Sequence, residues 1–202
     1  MYSSYQCQSH IIRHLSNTIT ERWRLDMQHS KVKKWEIAGA LILMGLCSLF
    51  HFLYDWSSQS QLVGIFSPIN ESIWEHLKIA FWPILLFAFI EYWFISSHVH
   101  NFLLAKALSA LVLQGLIVTV FYTYTAFTRK PIPFIDIGTF LLGCFLAQYI
   151  SYKILTATKP GRGWNRLGLI LILINALLFI LFTFNPPQFI LFQEPNTYLN
   201  PS

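Results

Sequence analysis

Five long runs of apolar residues, separated by short polar segments, account for most of the sequence. A helix that crosses the hydrocarbon core of a bilayer needs about 20 mostly apolar residues, and each run reaches that length. We therefore predict an all-α membrane bundle of five transmembrane helices. The predicted spans cover residues 35–54, 68–95, 102–124, 133–155 and 164–184.

Prolines and small polar residues set the expected helix ends. Ser67 followed by Pro68 is a favourable start for the second helix, because serine caps free N–H groups and proline suits the first turn. Asn70 is an alternative cap. Pro83 lies inside this span, where it is expected to kink the helix. The Pro186–Pro187 pair is expected to end the last span.

The segments outside the spans are short. Residues 1–34 are polar and basic, and residues 185–202 form a short tail. In the first segment apolar residues recur at helical spacing, which predicts a short amphipathic helix on the membrane surface. A disordered basic tail is the alternative. The residues that carry the spacing are Ile11, Leu15, Ile19 and Trp23.

Composition supports a membrane location. Of the 202 residues, 54% are hydrophobic and only 11% are charged, against about 25% charged in an ordinary soluble domain. The lipid bilayer of a cell membrane is therefore the expected partner. The net charge of +5 comes from short segments between apolar runs, so nucleic-acid binding is not expected.

The distribution of basic residues predicts the orientation, because Lys and Arg accumulate on the cytoplasmic side. With the N-terminus inside and the C-terminus outside, only Lys78, Arg129 and Lys130 of the 14 Lys and Arg residues fall on the outer side. Lys106 lies just inside the third span, from which its long side chain could extend back to the inner surface.

Small residues recur every fourth position on the fourth span and allow another helix to approach closely. They predict either a face for self-association or for a protein partner, or a packing seam within the chain. The four residues are Thr139, Gly143, Ala147 and Ser151.

Ionisable residues concentrate at the predicted outer ends of the spans. The first span ends with His51 and Asp55, the second begins with Asn70, Glu71, Glu75, His76 and Lys78, and the fourth begins with Asp136. Ionisable groups at such positions are costly to desolvate and tend to be paired or functional. If the second helix begins near Pro68, Glu71, Glu75 and Lys78 share one face, and His76 lies on another.

Three interpretations of these residues remain open. In the first, a divalent metal such as zinc binds to candidate ligands, which are His51, His76, Glu75 and Asp136, with Glu71 as an alternative carboxylate. In the second, Glu71, Glu75 or His76 performs acid–base catalysis. In the third, the groups are structural: Glu71 caps the helix and Glu75 pairs with Lys78.

Other polar residues in the spans are weaker candidates. Glu36 and Glu91 lie near inner helix ends, where we expect them to be solvated. Gln114, Gln148 and Asn175 lie in mid-span and are expected to form hydrogen bonds between helices. The cysteines Cys7, Cys47 and Cys144 form no close-spaced metal motif and are expected to be small apolar residues.

Residues 66–76, FSPINESIWEH, resemble an uncharacterised family of small bacterial multi-pass membrane proteins, a domain of unknown function. The resemblance includes residues 51–56, HFLYDW, and the tail from residue 185. It implies a multi-pass membrane fold, a location in a bacterial plasma membrane and no particular activity. From the ionisable residues at the outer helix ends, we expect a site for a polar ligand, an ion or a lipid headgroup at the outer interface. The alternatives are a membrane-embedded hydrolase, a small transporter component and an accessory interaction protein.

Overall fold

Helices form nearly all of the chain. The computed structural model describes residues 2–157 and 162–199, without the side chains of residues 2–16, 98, 162 and 198, and no strand occurs among the described residues. Lys159 and the side chains of Cys7, Ile11 and Leu15 therefore lie outside the described part. The α-helices are α1 (Tyr2–Trp56), α2 (Gln61–Gly64), α3 (Ile73–Ile95), α4 (Phe102–Thr128), α5 (Pro133–Leu155), α6 (Arg162–Phe184) and α7 (Pro195–Leu199).

Five of the described helices are long and apolar enough to cross a membrane, as the sequence predicted: α1, α3, α4, α5 and α6. Their outward surfaces are apolar. On α6, for example, Leu173 is 58% exposed and Leu177 is 54% exposed. Large apolar side chains exposed over whole helix faces are unfavourable in water and are typical of surfaces that contact lipid.

Helix α1 differs from the expectation at its N-terminal end. It continues without a break from Tyr2 to Trp56, so the N-terminal segment extends the first span and does not form a separate short helix. Residues 1–34 contain no glycine or proline that would interrupt a helix. At 1.5 Å per residue α1 is about 80 Å long, much more than the roughly 30 Å of a hydrocarbon core.

The start of α3 also differs from the expectation. The helix begins at Ile73, and Ser72 is its N-cap, with the Ser72 hydroxyl accepting a hydrogen bond from the Glu75 N–H at 3.4 Å. The expected caps, Ser67 and Asn70, are engaged elsewhere. The Asn70 side chain accepts from the Ser72 N–H at 3.0 Å.

Ser67 attaches the segment before α3 to the end of α1. Its hydroxyl donates to the Phe50 carbonyl at 2.5 Å and accepts from the Tyr54 N–H at 3.0 Å. Phe50 and Tyr54 are four residues apart, so these are the two groups that an undisturbed helix pairs with each other. The Ser67 hydroxyl therefore inserts between the N–H and C=O groups of one helical hydrogen-bond pair of α1 and bonds to both.

Pro83 and Cys47 connect α3 to α1. Pro83 has no N–H, so the carbonyl four residues earlier, that of Ile79, lacks its helical donor. The Cys47 thiol of α1 donates to this carbonyl at 2.9 Å. Cys47 and Cys144 are buried as expected, and the thiol of Cys47 also satisfies a backbone group that the proline leaves free.

The small residues of α5 pack inside the bundle. Gly143, Ala147 and Ser151 are all buried, and a Cβ at residue 143 would overlap the Leu113 side chain of α4. Of the two alternatives for the stripe, these contacts correspond to a packing seam within the chain. Whether the same stripe also supports self-association remains a prediction.

Helix α6 approaches α4 closely at Gly168. A Cβ there would overlap the backbone of Leu103 and Leu104. We expect Gly168→Ala to lower the free energy of unfolding in detergent by about 1–3 kcal/mol, because a main chain cannot move aside as a side chain does. Gly115→Ala is the matched control, since its Cβ would meet no atom within 4 Å. Equal stability of the two variants in thermal unfolding would contradict the close approach.

Candidate functional site

Three side chains from different segments meet where α1 ends and α3 begins, which we call the pocket end of the bundle. They are His51 on α1, Glu71 in the segment before α3 and His76 on α3. One ligand atom of each lies within 4.8 Å of the others. The two imidazole rings are 5.3 Å apart between centroids. We call these three residues the histidine–glutamate cluster.

The local backbone determines which nitrogen of His76 faces the cluster. Nδ1 lies 2.9 Å from the Ser72 carbonyl oxygen, one turn back in the chain. A carbonyl only accepts, so Nδ1 carries the hydrogen and Nε2 of the neutral ring presents a lone pair. This lone pair lies 3.5 Å from a carboxylate oxygen of Glu71. Two such groups repel each other unless a proton or a metal cation lies between them.

The cluster has the composition of a zinc site. Zinc binds imidazole nitrogen and carboxylate oxygen at about 2.0–2.2 Å, which places tetrahedral ligand atoms roughly 3.3–3.5 Å apart. The distance between His76 and Glu71 already matches this spacing. The Ser72 carbonyl accepts from Nδ1 of His76 and so orients the ring, as carbonyl and carboxylate groups do for metal-bound histidines. Glu71 is 69% exposed, so it can move toward an ion without disrupting packing.

The cluster opens into a cavity of about 480 Å³. Most of its wall is apolar and comes from α1, α3, α4 and α5, including Met44, Ile79, Ile117 and Phe140. The C-terminal segment adds Pro195 and Asn196. A cavity of this size with a few polar groups has the character of a small-molecule site.

Asp136 lines the same cavity from the first turn of α5. Its Oδ1 accepts a hydrogen bond from the Tyr124 hydroxyl at 2.7 Å. The Tyr124 oxygen in turn accepts from the Ile132 N–H at 3.1 Å, which fixes the turn between α4 and α5. Asp136 is thus a carboxylate in the cavity wall, separate from the three clustered residues.

Glu75 does not join the cluster. It is 2% exposed, and its Oε2 lies 2.5 Å from Nζ of Lys78 and accepts from the Ile69 N–H at 2.9 Å. The expectation that Glu71 shares a face with Glu75 is wrong because the helix begins after Glu71. The segment before Ile73 is then free to bring Glu71 beside His76. The expected pairing of Glu75 with Lys78 is confirmed.

Lys78 holds three segments together. Its ammonium group also donates to the Gly64 carbonyl at 2.6 Å and to the Thr183 hydroxyl of α6 at 3.1 Å. Since it is fully buried, it does not contribute to the charge of the surface.

Asp55 is exposed at the end of α1. The sequence-predicted group thus divides into the cluster, Asp136 in the cavity, and structural roles for Glu75, Lys78 and Asn70.

The expectations for the opposite end of the bundle are partly wrong. Glu36, Glu91 and Lys106 are at most 3% exposed and form ion pairs with one another. Lys106 therefore does not extend to the surface. The signal in the sequence was a lysine within an apolar run, which requires a buried partner.

In mid-span, the Asn175 amide donates to Gln114 at 3.0 Å, as expected of groups that connect helices. The same expectation is wrong for Gln148, whose side-chain amide is buried without a hydrogen-bond partner.

Lys78→Met tests the structural role of the Glu75–Lys78 pair. The substitution leaves the Glu75 carboxylate buried without its counter-charge, which costs about 3–5 kcal/mol. We expect a matching fall in unfolding free energy in detergent. In the double variant Glu75→Gln/Lys78→Met most of the loss should be recovered.

Glu194→Gln, at an exposed position, is the control and should remain close to the wild-type stability. A small effect of Lys78→Met alone would contradict a paired, buried lysine.

Comparison with known proteins gives a family. The model of the Family of unknown function (DUF6512) matches residues 25–198. No curated protein and no solved structure matches the chain.

Proposed function

For this chain, which belongs to that family of unknown function, we propose an integral membrane protein that binds a zinc-type divalent metal at the pocket end of its bundle. The ligands are His51, His76 and Glu71. The observation that carries the proposal is the convergence of their three ligand atoms within 4.8 Å, with Nε2 of His76 3.5 Å from a carboxylate oxygen of Glu71.

The ligand set favours zinc over magnesium or calcium. Magnesium and calcium prefer oxygen ligands, whereas two imidazoles and one carboxylate suit zinc and its neighbours among the transition metals. Three protein ligands leave a fourth position for water or for an oxygen of a bound molecule. The three ligand residues line a cavity with mostly apolar walls, which would suit a ligand with a polar head and an apolar body, such as a lipid.

Asp136 favours hydrolysis as a second candidate function. A metal lowers the pKa of bound water and polarises an ester or phosphoryl oxygen, and a nearby carboxylate can accept the proton of the attacking water. Asp136 lies in the wall of the same cavity and is held by Tyr124. In this scheme the metal-binding residues are His51, Glu71 and His76, and Asp136 is the general base. Glu75 is engaged with Lys78 and is not assigned a catalytic role.

Zinc titration of the full-length protein tests the metal site. After treatment with a chelator and its removal, the protein in detergent is titrated with Zn²⁺ in a calorimeter. We expect one ion per chain. His51→Ala and His76→Ala should each weaken binding at least tenfold, because each removes one of three ligands. Glu71→Gln should weaken binding less, since its amide oxygen can still coordinate.

His100→Ala is the matched control, because His100 is exposed and lies at the opposite end of the bundle. It should bind zinc like the wild type. Binding that survives in the double variant His51→Ala/His76→Ala, with the helical content unchanged by circular dichroism, would refute the proposed site.

We also propose that the pocket end faces away from the cytoplasm. The N-terminus is then inside and the C-terminus outside. Burial supports this orientation, because Lys78 and Lys106 are hidden from both surfaces. Among the described residues, the positive charge exposed at the pocket end is then that of Arg129 and Lys130, while the basic N-terminal segment lies at the other end.

Reporter fusions test the orientation. Alkaline phosphatase, which is active only outside the cytoplasm, should be active when fused after Ser202 or after Arg129. The same reporter fused after His100, in the turn before α4, should be inactive. The reverse pattern would overturn the orientation and leave the metal site unaffected.

A further inference from the structure

A second polar site lies at the end of the bundle opposite the pocket and joins four helices. Lys106 of α4 is at its centre. Its ammonium group lies 2.9 Å from Oε1 of Glu36 on α1 and 2.5 Å from Oε2 of Glu91 on α3. Ser151 of α5 donates to the same Glu36 oxygen at 2.6 Å. We call these four residues the lysine cluster.

The lysine cluster is closed to solvent. Glu36 is 3% exposed, Lys106 is 1% exposed, and Glu91 and Ser151 are fully buried. Taking a charge out of water into an apolar interior costs several kcal/mol unless an opposite charge compensates it. The balance of charge within the cluster therefore decides which protonation states the fold can hold.

The charges do not balance when every group has its usual ionisation. Two carboxylates face one ammonium group, and Ser151 is neutral, so one negative charge is left over. Among the described residues, the ionisable side chains in these contacts are Glu36 of α1, Glu91 of α3 and Lys106 of α4, and α5 contributes the Ser151 hydroxyl. The Glu75–Lys78 pair is a useful contrast, because there one carboxylate meets one ammonium group.

Two carboxylate oxygens in the cluster lack any donor. They are Oε2 of Glu36 and Oε1 of Glu91, both buried without a hydrogen-bond partner, whereas Oε2 of Glu91 is in ion-pair contact with Lys106. Both carboxyl groups contact the same ammonium nitrogen of Lys106, so they also lie close to each other. Two neighbouring carboxylates repel each other when both are ionised, whereas two that share one proton form an O–H···O⁻ hydrogen bond.

We propose that the lysine cluster is a proton-binding site in which Glu36 and Glu91 share one proton beside Lys106. The bound proton makes the cluster neutral and supplies the donor that the free oxygens lack. A metal cation fits less well, because the ammonium group of Lys106 already lies between the carboxylates and would repel it.

Loss of this proton would leave an uncompensated charge between α1 and α3, and these two helices also carry His51 and His76 at the pocket end. Protonation of the lysine cluster would therefore influence how α1 and α3 pack. The site does not depend on the proposed metal function, since the two sites share no residue.

Infrared spectroscopy of the full-length protein in detergent tests the proposal at neutral pH. A protonated carboxylic acid has a C=O stretching band that a carboxylate lacks. We expect such a band in the wild type, shifted in protein labelled with ¹³C at the glutamate carboxyl. The labelled protein needs no substitution, so this measurement does not depend on a variant that folds.

Glu36→Gln and Glu91→Gln should each abolish the band, because the remaining carboxylate then pairs with Lys106 alone. Glu75→Gln is the matched control and should leave the band intact, since Glu75 is equally buried yet paired one to one. Absence of the band in the wild type, or its persistence in both Glu36→Gln and Glu91→Gln, would overturn the proposal. A band that appears only when sodium is removed would also overturn it, in favour of a bound cation.

Discussion

The rest of the structure depends on one constraint: a charge carried into the apolar interior needs an opposite charge at bonding distance. Lys78 and Lys106 lie on helices whose outer surfaces are apolar, and both are buried. Each therefore determines what surrounds it. Lys78 brings together the segment before α3, its own helix and α6 through Glu75, Gly64 and Thr183. Lys106 does the same for four helices at the other end.

The polar clusters at the two ends of the bundle differ in their access to solvent. At the pocket end His51, Glu71 and His76 open into a cavity, and the buried cation nearby in sequence, Lys78, is paired with Glu75. At the other end the polar groups are sealed and charged. Between the two ends lies an apolar layer that includes Leu43, Phe87, Leu113 and Ala147. The first arrangement can exchange a ligand with its surroundings, whereas the second can exchange only something as small as a proton.

The sequence was sufficient to predict five spans, because the length and apolarity of a run are local properties. The site was predicted in part. His51, Glu71, His76 and Asp136 were all recognised as candidates, but their grouping depended on where α3 begins. Ser67 would have been a good cap, and only its bonds to Phe50 and Tyr54 of α1 show that it is used elsewhere. The partners of Lys106 are 70, 15 and 45 residues away in the sequence, so periodicity within one run could not identify them.

The ion pairs also constrain how the chain enters a membrane during synthesis. Helix α3 carries Glu75, Lys78 and Glu91, and a charged residue in an isolated span costs free energy on insertion, up to about 2.5–3.5 kcal/mol at the centre. Glu75 and Lys78 can offset each other within the helix. Glu91 cannot, because its cation is on α4, which is synthesised later. Helices α3 and α4 would therefore leave the translocon most favourably as a hairpin, whose short turn already places Glu91 beside Lys106.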